Sequence, residues 1–401
     1  MSEKWKEKTL GSLCDFVRGP FGGSLKKSCF KASGYAVYEQ QHAIYDQFEE
    51  IRYFIDESKY REMQRFELSP GDLIMSCSGT MGKVAIVPNS IPKGIINQAL
   101  LKLSPKKDIL AEFLKYWMSS PNFQDELVKL SQGVAIKNVA SVKVLKEIRI
   151  CLPSLTEQEQ IVSIVDQAFE GIDGAIANTK KNLTNARELF ESYLNAIFTQ
   201  KGDEWEEKKL GDICENLDSR RIPITKSKRK SGEVPYYGAS GIVDFVADYI
   251  FDEDLLLVSE DGANLLARTY PIAFSVNGKT WVNNHAHVIR FKEMCSQNFV
   301  EYYLNSISLE PYVSGMAQPK LNQKQLNSIP VPFPPQTHQQ QIVAKLDELA
   351  IETQRLEAIY QQKLAALNEL KQSILQKAFT GELTADTANQ VTKKAEEAIA
   401  A

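Results

Sequence analysis

Two stretches of the chain repeat apolar residues at alternating steps of three and four, and neither contains a proline. The first runs Ile161, Val165, Ala168, Ile172, Ala175, Ala186, Phe190, Tyr193 and Ile197. The second runs Ile342, Leu346, Leu349, Leu356, Tyr360, Leu364, Leu367, Ile374 and Ala378. Both patterns predict a long helix with a heptad-like seam, over about 156–200 and 337–381, each about 68 Å long at 1.5 Å per residue. Thr156 followed by Glu159, and Thr337 followed by Gln340, read as capping boxes just after prolines, and Gly202 and Gly381 stand where the helices stop. A single helix cannot bury such a stripe alone, so the two are expected to pair as a coiled coil. The order globular, helix, globular, helix then makes the pair antiparallel, with the globular parts at opposite ends of a rod. An ordinary helical hairpin packed on a core is the alternative.

The segments outside the helices are mixed. Asp72–Cys77, Lys83–Val87, Leu255–Ser259 and His287–Phe291 are short Val/Ile/Leu-rich runs bounded by turn formers and read as strands. Ile109–Ser119 and Gln297–Ser306 have helical spacing. These elements also repeat. Residues 5–14 (WKEKTLGSLC) match 205–214 (WEEKKLGDIC), an offset of 200. The same order holds for 72–75 with 254–257, 97–100 (NQAL) with 284–287 (NHAH), 113–117 with 299–303, and 133–139 with 315–321. It ends with 153–162 (PSLTEQEQIV) against 334–343 (PPQTHQQQIV) and 194–199 against 375–380, where the offset has fallen to 181. Seven collinear blocks mark a duplication. The second copy has lost residues mainly in its first part, and the matches weaken between the landmarks, as expected of shared scaffolds with different working surfaces.

Composition narrows the class. The chain has 401 residues, 43% of them hydrophobic and 24% charged, which points to two or more globular domains. No apolar run reaches the length of a membrane helix, and residues 1–10 are charged, unlike a signal peptide. Six scattered cysteines without a CxxC pair read as reduced, mostly buried thiols. A net charge of −4 excludes a uniformly basic surface but leaves room for a local basic patch.

Catalytic motifs are incomplete. Gly79, Gly82 and Lys83 resemble the end of a phosphate loop, yet Cys77 and Val84 occupy its required Gly and Ser/Thr positions. The Gly-rich stretch 19–23 lacks the spacing of a dinucleotide loop. His285 and His287 alternate with no third metal ligand placed by the sequence. Residues 333–336 (FPPQ) lack the Asn and the aromatic that amino-methyltransferases use on a flipped base. Nucleic acid is better supported. Arg220, Arg221, Lys226, Lys228, Arg229 and Lys230 place six cations in eleven residues with no acid, followed by Tyr236 and Tyr237, which suits phosphate contact along a duplex. A solvated loop without a partner is the other reading. The first copy offers a sparser set: Arg18, Lys26, Lys27 and Lys31. Polar loops recur at matched places, with Gln132, Lys137 and Asn138 against Gln318, Lys320 and Asn322, and with Lys83 and Lys279 nearby. Asn97 and Asn284 read as turn residues.

The tandem of a unit opening Trp-x4-Leu-Gly (Trp5, Leu10, Gly11; Trp205, Leu210, Gly211) and closing on a helix that starts Pro-x2-Thr-x3-Gln-Ile-Val (Pro153, Thr156, Gln160, Ile161, Val162; Pro334, Thr337, Gln341, Ile342, Val343) resembles the specificity subunit of type I restriction–modification systems. The likeness covers nearly the whole chain and departs at Gln200 and Lys201, where the second copy has Gly381 and Glu382. It implies an α+β fold: two mixed α/β target-recognition domains (1–153 and 202–335) alternating with two long helices (154–201 and 336–384) that pair as an antiparallel coiled coil, and a flexible tail at 385–401. It implies a cytoplasmic, non-catalytic subunit that binds double-stranded DNA at a bipartite site, one half per domain. Two methyltransferase subunits and restriction/translocase subunits would dock on it and carry S-adenosylmethionine, ATP and Mg, with no cofactor on this chain. The competing reading is a structural coiled-coil scaffold whose heads bind proteins.

Overall fold

In the computed structural model the described residues are 5–21, 23–131, 138–200, 202, 204–315 and 318–382. They form two compact units: residues 1–180 with 362–401, and residues 181–361. Each unit is a mixed α/β head together with part of each long helix.

In the first head the strands run in the order Cys14–Arg18, Leu100–Pro105, Leu73–Ser76, Val84–Ile86 in one antiparallel sheet. In the second the order is Glu215–Asn216, Ala286–Arg290, Leu255–Ser259, Ala273–Val276, which is the same sheet strand for strand. The strands Leu73–Ser76 and Leu255–Ser259 are buried along their whole length. Their successive side chains feed opposite cores because side-chain direction alternates along a strand. Leu73 and Met75 join the cluster that includes the long helices, while Ile74 faces the smaller sheet. Leu256 and Val258 likewise face the helices, and Leu255 and Leu257 face the other way.

The smaller sheet also repeats. Tyr35–Tyr38 pairs antiparallel with Tyr53–Ile55 and parallel with Gly94–Ile96. Ser231–Gly238 pairs antiparallel with Gly241–Val246 and parallel with Lys279–Val282. The lost residues lie here. The first head joins its antiparallel pair through a helix, Gln40–Tyr45, and follows with another, Glu57–Glu62, where the second head has a tight turn and a short strand.

Each head is closed by pairing its two ends, Lys6–Thr9 with Arg149–Leu152 and Glu206–Lys209 with Pro330–Phe333. The Leu-Gly of each opening serves this closure. Leu10 and Leu210 are buried, and their N–H groups donate to the carbonyls of Ile148 and Ile329 at 2.8 and 2.9 Å. A Cβ on Gly11 or Gly211 would come within 2.8 Å of Lys146 or 2.9 Å of Asn327, so only glycine fits the approach.

The long helices are Leu155–Thr199 and Gln336–Thr380. Their starts differ from the expected capping boxes. Ser154 caps the first, its Oγ accepting from Glu157 N–H at 3.3 Å, and Pro335 precedes the second, so Thr156 and Thr337 lie inside the helices. What anchors the starts is a matched pair of buried glutamines. Gln158 donates to the Asp108 and Pro153 carbonyls and accepts from Leu110 N–H, and Gln339 donates to the Pro334 carbonyl and accepts from Ser296 Oγ. At the far end of the second helix Gly381 is left-handed (φ 79°), and the Glu382 N–H returns to the Lys377 carbonyl, closing a Schellman turn.

The helices pair antiparallel. In the first unit Lys371 binds Asp173 at 2.7 Å and lies over the Phe169 ring. In the second, Arg187 grips Glu357 through two hydrogen bonds of 2.9 and 3.0 Å. The seam follows the expected positions from Ile161 to Ala186, then moves: Leu194 and Phe198 are buried, while Tyr193 is 38% exposed. Contact with a head explains the shift, because Phe198 packs edge-on against Phe299 and Tyr303, as Phe379 does against Phe113. Tyr116 donates to Asp166, and the matched Tyr302 donates to Asp347 at 2.7 Å, so each head is tied to the helix that follows it by the same bond. Among the described residues no helix is long and apolar enough to cross a membrane.

Candidate nucleic-acid interface

The strand registers bring scattered loops to one end of each larger sheet. In the first head Arg18 pairs with Leu101, Ser76 with Leu100, and Met75 with Val84. The loops that follow Arg18 and Ser76 therefore meet the loop that precedes Leu100, and Asn138 joins them through a bridge to Ser78. In the second head Asn216 pairs with Ile289, Ser259 with Ala286, and Val258 with Ala273. The same end thus gathers the residues after Asn216, those after Ser259, those before Ala286, and Lys320, bridged to Asp261. Residues far apart in the chain converge because antiparallel pairing alternates which end each loop occupies.

Part of the expected cation set lies at these ends, part lies across the smaller sheet, and its members are not equally available. In the first head Lys26, Lys27 and Lys83 are exposed and Arg18 is half-buried at its strand end. Asn138 accepts from Ser78 Oγ at 2.6 Å, which engages it within the loop cluster. Lys137 and Gln132 lie outside the described residues.

The basic segment of the second head is strapped across its smaller sheet. Trp281 Nε1 donates to the Ile222 carbonyl at 2.7 Å, and the Ile224 N–H donates to Tyr236 Oη at 3.1 Å. Arg229 stacks on Tyr236 at 4.3 Å and binds Asp244 at 2.9 Å, which holds the Asp244 carboxyl below the usual carboxylate range. Arg220 binds Glu253 at 3.0 Å and covers the Phe251 ring. Arg221 binds Glu260 and the Ala286 carbonyl, each at 2.7 Å. The arginines therefore fix the segment, while Lys226, Lys228 and Lys230 stay exposed. Lys279 is exposed over the Tyr249 ring at 4.8 Å. Lys320 pairs with Glu260 at 3.2 Å, and Asn322 caps the helix Gln323–Asn327.

Beneath the strap lies a buried polar cluster that the sequence pattern did not reveal. His287 is 1% exposed, with Nδ1 2.5 Å from Asp218 Oδ2 and Nε2 2.8 Å from the Leu321 carbonyl. Burial pushes the Asp218 carboxyl upward, but hydrogen bonds from His287 and from the Val288 N–H, with the Arg221 charge, outweigh it and leave its pKa lowered. The i,i+3 spacing of Asp218 and Arg221 was the available hint. His285 pairs with Asp261 at 2.8 Å, so the two histidines serve different carboxylates. Burial drives the thiols of Cys14, Cys77 and Cys214 up to about 12, which makes them poor nucleophiles near neutral pH.

The turn asparagines are matched one residue away from the sequence alignment. Asn97 N–H donates to the Tyr38 carbonyl and its Oδ1 accepts from Ala99 N–H; Asn283, not Asn284, does the same with Tyr237 and His285. They shape the loop that leads into the second strand of the larger sheet in both heads, Leu100–Pro105 and Ala286–Arg290.

A duplicated head whose loops gather at one sheet end, carried on paired helices, defines a modular recognition protein. The family described as Type I restriction modification DNA specificity domain matches residues 2–185 and 202–366. The chain belongs to that family. A chain of Haemophilus influenzae named as a type I restriction enzyme specificity subunit is 38% identical over 158 residues, 39% of this chain and 40% of that one. The EcoBI specificity subunit of Escherichia coli is 33% identical over 138 residues, 34% of this chain and 29% of that one. The chain thus spans well under half the length of these two relatives. The MjaIX specificity subunit of Methanocaldococcus jannaschii is 23% identical over 82% of this chain and 81% of its own. Among solved structures, the HsdS subunit from Thermoanaerobacter tengcongensis shares the fold with a TM-score of 0.57 at 18% identity, covering 96% of this chain and 98% of that one. A chain from a structure on complex assembly and conformational transition of the type I R-M system reaches 0.75 at 18% identity, covering 94% of this chain and 98% of that one.

Proposed function

We infer that this chain is the DNA-recognition subunit of a type I restriction–modification complex, with each head reading one half of a split duplex site. The observation that carries this reading is the pair of loop clusters: the same sheet end presents them in both heads, yet their residues differ. The first holds Arg18, Lys26, Lys27, Lys83 and Asn138; the second holds Arg221, Lys320 and Asn322, and the strap that follows Arg221 carries the exposed Lys226, Lys228 and Lys230 across the smaller sheet. A shared frame with different loops is what two half-sites of different sequence require, since phosphate contacts set register and base contacts set specificity. The paired helices serve as the spacer, fixing the unread gap against the ~34 Å turn of the duplex.

The chain's role is to bind DNA and to position two methyltransferase subunits and then restriction/translocase subunits. S-adenosylmethionine, ATP and Mg belong to those partners. Cys14 and Cys77 are buried, the other four thiols are half-buried where mostly buried ones were expected, and His285 and His287 are engaged by carboxylates, which supports a chain that supplies recognition rather than reaction chemistry. Methylome sequencing of a host carrying the chain with its cognate methyltransferase subunits tests this. The expected result is one modified motif made of two short halves around a fixed run of unspecified bases; a motif unchanged when the chain is deleted would refute it.

A further inference from the structure

Among the described residues the most exposed large apolar side chain is Phe21, at 92%. It stands on a loop whose backbone is held firmly on both sides. Gly19 N–H donates to the Leu100 carbonyl at 2.9 Å, and a Cβ on Gly19 would lie 1.8 Å from the Asn97 carbonyl oxygen, so the chain is pressed against residues 97–98 at this point. Pro20 and Leu25 are buried on either side of the turn, and the Ser24 N–H donates to the Phe21 carbonyl at 2.8 Å. The ring is therefore held out by an anchored backbone, at the sheet end where the loops converge, with Arg18, Lys26 and Lys27 around it.

The second head repeats the arrangement with other residues. After the matched strand, Ile222 is 54% exposed beside Pro223, its carbonyl held by Trp281 Nε1 and its neighbour Ile224 held by Tyr236. Lys226 follows it exposed, while Arg220 before it is held by Glu253. Single exposed apolar residues are common on protein surfaces and need no function. Two of them, each in the loop after the matched first strand of its head, each next to a proline, each on a pinned backbone and each with an exposed lysine near it in sequence, call for a common partner. An exposed lysine close by in each loop suits a phosphate beside a base step, and the apolar side chain suits the step itself.

We propose that Phe21 and Ile222 are matched wedges, each entering the duplex at one base step of the half-site its head reads. This rests on the DNA-recognition reading above and adds a mode of contact to it: part of the sequence preference comes from how easily that step unstacks.

The test uses the full chain assembled with its methyltransferase subunits and duplexes in which 2-aminopurine is scanned through the methylated motif. Unstacking raises 2-aminopurine fluorescence, so the wild-type complex should give a rise at one step in each half. Phe21→Ala should remove the rise in the first half alone and weaken binding about ten-fold, within the range for losing one stacked aromatic. Ile222→Ala should act on the second half alone, and Phe21→Trp should retain the first signal. Specific binding without any fluorescence rise, or a Phe21→Ala complex with unchanged affinity and signal, overturns the wedge and leaves recognition intact. If the wild-type complex does not prefer its motif over scrambled duplex, the recognition reading itself falls. Loss of subunit assembly without DNA in Phe21→Ala would instead assign the ring to a protein contact and also overturn the proposal.

Discussion

Replacing Asp218 by alanine should loosen the second head and leave the first untouched. The carboxylate is 7% exposed and accepts from two groups, His287 Nδ1 at 2.5 Å and the Val288 N–H at 2.9 Å; Arg221 Nε, which donates to the Asp218 carbonyl, adds an ion pair at 3.4 Å to the same oxygen as Val288. Arg221 retains Glu260 and the Ala286 carbonyl after the change, so the main loss falls on His287 and Val288. A buried donor left unsatisfied costs about 1–3 kcal/mol, and removing one partner of a buried pair costs about 3–5 kcal/mol. With Arg221 partly compensated, about 3 kcal/mol is expected, or about 100-fold in the opening equilibrium at about 1.4 kcal/mol per decade. Amide hydrogen exchange of the full chain reads this by segment. Leu255–Ser259 and Ala286–Arg290 should lose about two decades of protection while Leu73–Ser76 exchanges as before. The strap over the smaller sheet is tied to this cluster through Arg221, so methylation of the half-site read by the second head should weaken as well. Unchanged exchange in the second head would refute the claim that the cluster anchors it.

Acid should act through the same carboxylate. Its pKa is lowered by folding, so its stabilising contribution is present above the unfolded value of about 3.9 and disappears as pH falls through the folded value. Acid unfolding of the second head below about pH 4 should therefore be less steep in Asp218→Asn than in the wild type, checked by exchange at each pH. Lys228→Ala with Lys230→Ala should weaken DNA binding similarly on every sequence and reduce the slope of log affinity against log salt by up to about 2, near 0.9 per lost phosphate contact. Tyr302→Phe removes the bond to Asp347 and should cost about 1 kcal/mol, lowering the second unit's unfolding midpoint by about 2–4 °C with little effect on the first. A heptad inserted into both long helices, between 181 and 195 and between 349 and 361, adds about 10.5 Å of helix and should widen the unread gap by about three base pairs. An unchanged gap in the methylated motif would remove the helices from the spacing role.

The long helices were the most legible part of the sequence, because a 45-residue periodic pattern without proline has no competing reading. Their caps were misplaced by two residues because local chemistry at Thr156 and Thr337 looked sufficient, whereas the starts are set by Gln158 and Gln339, whose partners lie in the heads. The seam beyond Ala186 slipped for a similar reason: Leu194 and Phe198 answer to a head core that a heptad count cannot see. In the basic segment, sequence alone gave six equivalent cations. Three are arginines held by Glu253, Glu260 and Asp244, residues 15–39 positions away that only the folded sheets bring close. Phe21 was passed over among glycines, since exposure of a single ring leaves no periodic trace. The register of the larger sheet turns such scattered loops into one surface, and it does so twice.

The most direct test of the account is a head exchange read by methylome sequencing. Residues 205–335 are replaced by residues 5–153, so that both heads carry the loops of the first, and the chain is expressed with its cognate methyltransferase subunits. If each head reads one half, the methylated motif should keep its first half and replace the second with another copy of it. Alteration of both halves, or retention of the original second half, would contradict the division of reading between the heads.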